Sequence, residues 1–389
     1  MKISMISEAL EGIRAAGQFR RISDLRLVSA SRGVDRVGKE FLVFNSNDYL
    51  GMTHEPEVIE ASRAALQWGT GSGGARLTSG ASFEMSDLEE ALARFKHKEA
   101  ALIFNTGYMT NLGVLYALAG PQDVIFSDSL NHASIVDGCR ISRSRVVVYG
   151  HSDMADLSRK LEETPCGGQR FIVTDGVFSM DGDVALPDLV RLKKKYGACL
   201  IVDDAHATGV IGKTGHGTAE YWGMDGIDIQ VGTLSKALGA EGGFAAASRE
   251  IIDFLRNRSR PFIFSTAIGP ATAAAALQAL QLLEAEPDRY VGRLRRNTAL
   301  MRRLLTEAGL PVLRGDTPIL PIVMGGEEET VAYAAACREA GLLLSAIRPP
   351  SVPKGTSRIR LTVTAAHTEE EIRQACGILI GNWSQKMRN

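Results

Sequence analysis

The sequence predicts an α/β fold, with a large domain built on a mostly parallel sheet and a smaller α+β domain after it. Three observations predict this. Seven short apolar runs recur between helical stretches from residue 101 to residue 247, and such alternation gives a parallel sheet covered by helices. The runs are apolar throughout instead of alternating with polar residues, as in strands buried on both faces. After Glu284, with Pro287 as the break, the pattern changes to helices interleaved with two strands. A chain of 389 residues also exceeds what one small core organises. The predicted division is an N-terminal helix and arm over 1–45, a large domain over 46–285 and a C-terminal domain over 286–389.

The elements follow in order. Residues 7–16 read as a helix, followed by a basic, loop-rich arm and a strand near 41–45. A helix over 58–68 comes next, and the apolar runs lie at 101–104, 124–126, 146–149, 171–174, 200–202, 229–231 and 244–247. The helix before Leu200 has Pro187 near its first turn, an apolar stripe of Leu189, Val190 and Leu192, and Gly197 as a left-handed cap. Lys193, Lys194 and Lys195 then fall at its C-terminal end, where they complement the helix dipole. The alanine-rich stretch 272–283 is interrupted by Gln278 and Gln281 and ended by Glu284, which makes it a buried helix and not a membrane span. Helices over 293–307 and 328–340 and strands over 320–323 and 359–363 complete the C-terminal domain.

Composition narrows the function. Apolar residues make up 45% and charged residues 23%, which excludes wholesale disorder. Forty-four Lys and Arg nearly cancel 45 Asp and Glu, and no long basic run exists to hold nucleic acid or an anionic membrane. The N-terminus lacks the uninterrupted apolar core of a signal peptide. Five widely spaced cysteines without CxxC pairing give no basis for a disulfide framework or a zinc site. The expectation is a cytoplasmic protein without a metal that works on small molecules.

Four motifs carry chemistry. Gly69-Thr70-Gly71-Ser72-Gly73-Gly74 satisfies GxGxxG, but a helix precedes it and loop follows, so the dinucleotide context fails. It reads as a plain turn or as a loop that lets a ligand or a partner chain approach closely. Asn105-Thr106-Gly107-Tyr108-Met109-Thr110-Asn111 turns from a strand into a helix, where free N–H groups and the helix dipole can bind phosphate. Asp203-Asp204-Ala205-His206 stands at the end of a buried strand, where open α/β sheets bind ligands. Its carboxylates could cap a helix, hold a hard cation or face a cationic ligand group. Thr233-Leu234-Ser235-Lys236 also follows a strand, with Gly239, Gly242 and Gly243 around it, and offers a desolvated lysine as a nucleophile.

The combination resembles the fold-type I enzymes that use pyridoxal 5'-phosphate (PLP), which need a lysine for the aldehyde, a carboxylate for the pyridine nitrogen and donors for the phosphate. Within that fold the chain resembles the α-oxoamine synthases over nearly its full length. The residues that carry the likeness are Asn45-Ser46-Asn47-Asp48-Tyr49-Leu50-Gly51, Gly71 to Gly74, Asn131-His132-Ala133-Ser134, Asp175 to Asp183, Asp203 to His206, Thr233 to Lys236 and Phe264-Ser265-Thr266. Ile347-Arg348-Pro349-Pro350-Ser351-Val352-Pro353, with Arg358 to Thr362, is similar to the branch that joins L-alanine to a pimeloyl thioester in biotin synthesis. A sibling branch that uses glycine and acetyl-CoA shares every PLP residue. A PLP aminotransferase and a silent PLP-fold subunit are the alternatives from other classes.

The resemblance implies a role for each site residue. Lys236 matches the lysine that links to PLP and later serves as general base, Asp203 the partner of the pyridine nitrogen, and His206 the group beside the phenolic oxygen. His132 matches the imidazole stacked on the ring. Gly107, Tyr108 and Thr233 match phosphate contacts from one chain, and Ser265 and Thr266 those from the other chain of a homodimer. Arg360 matches the partner of the amino-acid carboxylate, with Asn47 and Ser179 lining the same space. Ser351 and either Arg20 or Arg21 are implied on the acyl side, the arginine meeting the distal carboxylate of a pimeloyl group carried on coenzyme A or an acyl carrier protein. The chain departs from the family pattern in carrying Asp175 where Glu is frequent and Met85 where His is frequent.

Overall fold

A computed structural model describes residues 3–15, 19–20 and 22–386. In chain order its strands are β1 (Arg26–Leu27), β2 (Arg32–Val34), β3 (Glu40–Val43), β4 (Ala100–Phe104), β5 (Val124–Asp128), β6 (Arg145–Tyr149) and β7 (Arg170–Asp175). They continue with β8 (Ala198–Asp203), β9 (Ile229–Thr233), β10 (Gly243–Ala247), β11 (Ile319–Gly325), β12 (Leu342–Leu343), β13 (Ser345–Ile347) and β14 (Ser357–Thr362).

Seven of them form one sheet in the order β4-β10-β9-β8-β7-β5-β6. β6, β5, β7, β8 and β9 run parallel. β10 runs antiparallel to both β9 and β4. The reason is the link between β9 and β10, residues 234–242, which is too short for the helical crossover that a parallel pair requires. Every residue of β4, β5, β9 and β10 is buried, as their apolar runs predict, whereas the apolar run of β6 departs from that expectation: it is the edge strand, with Val146 and Val148 exposed.

Helices cover both faces. Leu102 and Phe104 point to one side, into a core shared with Val114, Ile135, Ile252 and Leu255 of helices Gly107–Leu118, Ala133–Ser142 and Arg249–Arg258. Ile103 points to the other, among Val58, Leu88, Leu92 and Leu280 of helices Pro56–Ala65, Phe83–Phe95 and Pro270–Ala285. The expected 58–68 helix is therefore divided: α-helix gives way to a 3-10 turn, Leu66–Trp68, before Gly69 at φ 119°. Helix Asp188–Tyr196 ends at Gly197 with φ 60°, and Lys193 turns to Asp228 and the Gly226 carbonyl.

The C-terminal part is an antiparallel sheet, β11-β14-β13, with helices Arg293–Glu307, Glu327–Glu339 and Glu369–Lys386. Its core takes in Leu42 and Phe44 from the N-terminal region, because β3 pairs with β12 in parallel. His367 stacks on Phe44 with ring centres 3.8 Å apart and shares a hydrogen bond with the Val43 carbonyl. Leu42 and Phe44 thus belong physically with the C-terminal core and lead into the Asn47 turn. Among the described residues no helix is long and apolar enough to cross a membrane.

Candidate active site

Three carboxylates close the parallel strands: Asp128 ends β5, Asp175 ends β7 and Asp203 ends β8. Asp175 and Asp203 are register partners. Asp203 Oδ2 accepts from Asn111 Nδ2 at 2.6 Å, and Oδ1 accepts from the Ala205 N–H at 2.9 Å. Asp175 Oδ2 accepts the backbone N–H of His132 at 2.7 Å. Burial, and then the charge of Asp203, pushes the Asp175 carboxyl well above the usual carboxylate range. The shorter side chain at position 175 therefore holds the turn that carries His132.

Asp204 points elsewhere. Its carboxylate meets Lys96 Nζ at 2.8 Å and the Thr218 hydroxyl at 2.6 Å, with no side-chain exposure at Lys96 or Asp204. The first aspartate of the pair is the one left at the ligand face.

Lys236 follows β9, and its Nζ lies 2.8 Å from His206 Nε2. Burial lowers the Lys236 pKa to about 8, against the opposing charges of Asp203 and Asp175. His206 is buried and neutral: desolvation, then the charges of Lys236 and Arg360, holds its pKa well below the ordinary value. Its Nδ1 lies 2.7 Å from Tyr49 Oη. Arg360, on β14, donates from Nε to the Ser179 carbonyl at 2.5 Å, from Nη1 to Thr362 Oγ1 at 3.1 Å, and from Nη2 to Asn47 Oδ1 at 3.0 Å and Tyr49 Oη at 3.3 Å. Lys236, His206, Tyr49, Asn47, the Ser179 carbonyl and Arg360 are thereby joined in one hydrogen-bonded network.

The glycine turn closes another side. Thr106 caps helix Gly107–Leu118 by accepting the Met109 N–H. No described acceptor takes the N–H groups of Gly107 and Tyr108. Thr233 is the neighbour of this turn: a β-carbon at Gly107 would stand 3.3 Å from that of Thr233, and one at Gly243 would stand 2.6 Å from the Gly107 nitrogen. Glycine at both positions lets the turn sit directly on the ends of β9 and β10. Tyr108 donates its hydroxyl to Asp137 and meets the His132 ring in a T-shaped contact. His132 is itself the cap of helix Ala133–Ser142, its Nδ1 accepting the Ser134 N–H at 3.2 Å, and burial lowers its pKa.

This donor set fits PLP: open N–H groups with Thr233 for a phosphate, Asp203 for a protonated pyridine nitrogen, His206 for a ring oxygen and a depressed-pKa amine for an aldehyde. The remaining predicted residues stand apart from it. Thr266 offers its carbonyl to Asn105 Nδ2 at 2.6 Å, one residue before Thr106, and Ser265 lines a small recess with Asn105 and Phe262. Ser351 is exposed, its N–H bonded to the Arg348 carbonyl. Arg20 is exposed, and Arg21 lies outside the described residues. No described contact brings Arg20 or Ser351 to Lys236.

A family model for aminotransferase class I and II matches residues 39–379. An 8-amino-7-oxononanoate synthase of Geobacter metallireducens is 49% identical over 380 residues, covering 96% of each chain. The 8-amino-7-oxononanoate synthase 2 of Bacillus subtilis is 48% identical over 382 residues, again covering 96% of each. The chain belongs to the α-oxoamine synthases of that family. This α-oxoamine synthase also superposes on a solved serine palmitoyltransferase, described with its PLP internal aldimine, at a TM-score of 0.92 and 31% identity over 98% of this chain and 97% of that one.

Sequence reasoning about the α-oxoamine synthase missed three supporting residues. Asn111 was visible one helical turn beyond Gly107, on the same face. Tyr49 lay inside the Asn45 to Gly51 motif without a role. His151, which bridges Asp128 at 3.0 Å and Asp183 at 2.7 Å, left no signal, because nothing local marks a histidine that joins two distant loops.

Proposed function

We propose that the chain is a PLP-dependent 8-amino-7-oxononanoate synthase, condensing L-alanine with a pimeloyl thioester and releasing carbon dioxide and the thiol. The observation that carries this reading is the continuity from Lys236 through His206 and Tyr49 to Arg360. It puts a poised amine and a carboxylate-binding guanidinium in one pocket, which is what an amino-acid substrate needs. The choice of alanine and pimeloyl rests on the names of the relatives that match the whole chain.

PLP, when bound, supplies the electron sink for charge that develops at the amino-acid Cα. The chain's own residues do the rest. Arg360 already spends four of its five N–H groups on the protein, so a substrate carboxylate takes the fifth and competes with the long contact to Tyr49. Lys236, with its pKa near 8, is matched to removing and returning a proton close to neutral pH. Asp203, steadied by Asn111, would keep a proton on the ring nitrogen, and His132, its pKa lowered by burial and its place fixed by Asp175 and Ser134, would lie against the ring.

The sites are completed by a second copy. Loop 69–74 lies against residues 267–269 through Ser72 and Gly74. Around it Trp68, Leu77, Phe83 and Phe264 are exposed, Phe83 at 86%, an apolar patch of the kind that marks an interface. Ser265 and Thr266 sit within that patch and would reach the partner's phosphate site.

The test is thiol release by purified protein, crossing alanine, glycine and serine against pimeloyl and acetyl thioesters. Fastest release with alanine and pimeloyl thioester is expected. Preference for glycine with acetyl-CoA would assign the sibling activity instead.

A further inference from the structure

Arg360, Tyr49, His206 and Lys236 lie in a line whose links are 3.3, 2.7 and 2.8 Å. Each link has a direction. A guanidinium only donates, so Tyr49 Oη accepts from Arg360 and must place its own proton elsewhere. Two acceptors are in reach: His206 Nδ1 at 2.7 Å and Asn47 Oδ1 at 3.5 Å. Asn47 Oδ1 already accepts from Arg360 at 3.0 Å, and the 3.5 Å contact is too long to compete with a short O–H···N bond. The proton of Tyr49 therefore goes to His206. A neutral imidazole that accepts at Nδ1 carries its hydrogen on Nε2, and Nε2 faces Lys236.

We propose that Tyr49 is a positioning residue that fixes His206 as the Nε2–H tautomer, so that a hydrogen-bond donor points at Lys236 Nζ when that amine is free. The proposal rests on the PLP reading of the pocket and goes beyond it. The opposite polarity would need Nδ1–H on His206, a Tyr49 proton stretched to Asn47, and Lys236 as a donating ammonium. In the polarity assigned, Lys236 accepts and therefore stands as the free amine. Burial lowers its pKa to about 8, so the free amine is the main form only above that pH. Tyr49 is fully buried, and burial raises its own pKa, so it stays a neutral phenol that can donate. The arginine that takes the substrate carboxylate is thus linked, through two residues, to the amine that attacks.

The tautomer can be read directly. The full chain, labelled with ¹⁵N-histidine, is recorded by NMR about one pH unit above the Lys236 pKa of about 8, with and without PLP, and His206 is assigned from the signal lost in His206→Asn. Nε2–H is expected in the wild type, and Nδ1–H would overturn the proposal without any variant being needed. In Tyr49→Phe the Nε2–H preference should weaken, with kcat/KM falling about tenfold, the loss expected from one buried hydrogen bond. An unchanged tautomer in Tyr49→Phe would also overturn it. The NMR readout contains no substrate, so it stands or falls separately from the assignment of alanine and pimeloyl.

Discussion

Asp204 is held by Lys96 at 2.8 Å with both side chains shut off from solvent, while its neighbour Asp203 faces Asn111 and the Lys236 pocket. Adjacent residues of one type thus carry opposite duties. Asp204→Asn leaves a buried ammonium without its counter-charge, which costs about 3–5 kcal/mol. Asp203→Asn should leave the melting temperature nearly unchanged and remove most of the activity. Thermal unfolding and turnover measured side by side check this. If Asp204→Asn lowered activity as much as Asp203→Asn while remaining as stable as wild type, the division of labour would be wrong.

Lys236 gives a pH prediction. The attacking form is the free amine, and burial places its pKa near 8. The rate of PLP uptake by cofactor-free protein, followed by absorbance, should rise with pH about a midpoint near 8. A midpoint near the ordinary lysine value of about 10.4 would contradict the burial argument. Lys236→Ala should keep its circular dichroism spectrum and lose turnover.

His367 links stability to pH. It accepts the Thr364 N–H at Nδ1 and is buried against Phe44, and burial pushes its pKa down to about 4. The folded chain therefore binds this proton less readily than the unfolded chain, whose histidine titrates near 6.5. The stabilisation is complete above about pH 6.5 and is lost as pH falls toward 4, on the order of 3 kcal/mol in all. His367→Gln should be less stable than wild type at pH 7, with the gap narrowing by about that amount at pH 4. Denaturant unfolding at both pH values measures it, and a constant gap would exclude His367 as the titrating group.

The proposed sharing of sites between two copies predicts complementation. A Lys236→Ala chain co-expressed with a Ser265→Ala, Thr266→Ala chain forms heterodimers in which one site is intact and the other carries both defects. Each lost hydrogen bond to the charged phosphate is worth roughly 1.5–3 kcal/mol, so the recovered activity should be clearest at limiting PLP. Verified heterodimers no more active than their parents would mean that each chain completes its own phosphate site.

Much of this was legible in the sequence because it is local. Apolar runs gave the sheet, and a glycine turn, a strand-end Asp203 and a strand-end Lys236 each announce themselves within a few residues. What was not legible is set by distance along the chain. The antiparallel β10 depends on a short link, the union of Phe44 with the C-terminal core on the pairing of β3 with β12, and the fate of Asp204 on Lys96, 108 positions away. Tyr49 could be seen as part of a motif, but its bond to His206 spans 157 positions and appears only in the fold. Arg20 and Ser351 lie on exposed segments, where local sequence carries little information about contacts.

The central claim is that this pocket breaks the Cα–carboxyl bond of alanine while forming a carbon–carbon bond to a pimeloyl group. Alanine labelled with ¹³C at the carboxyl carbon, incubated with the protein, PLP and pimeloyl-CoA, tests it in one experiment. The account predicts that the label leaves as carbon dioxide, one for each thiol released, and that Lys236→Ala releases neither. Label retained in pyruvate with no thiol released would contradict it and identify an aminotransferase.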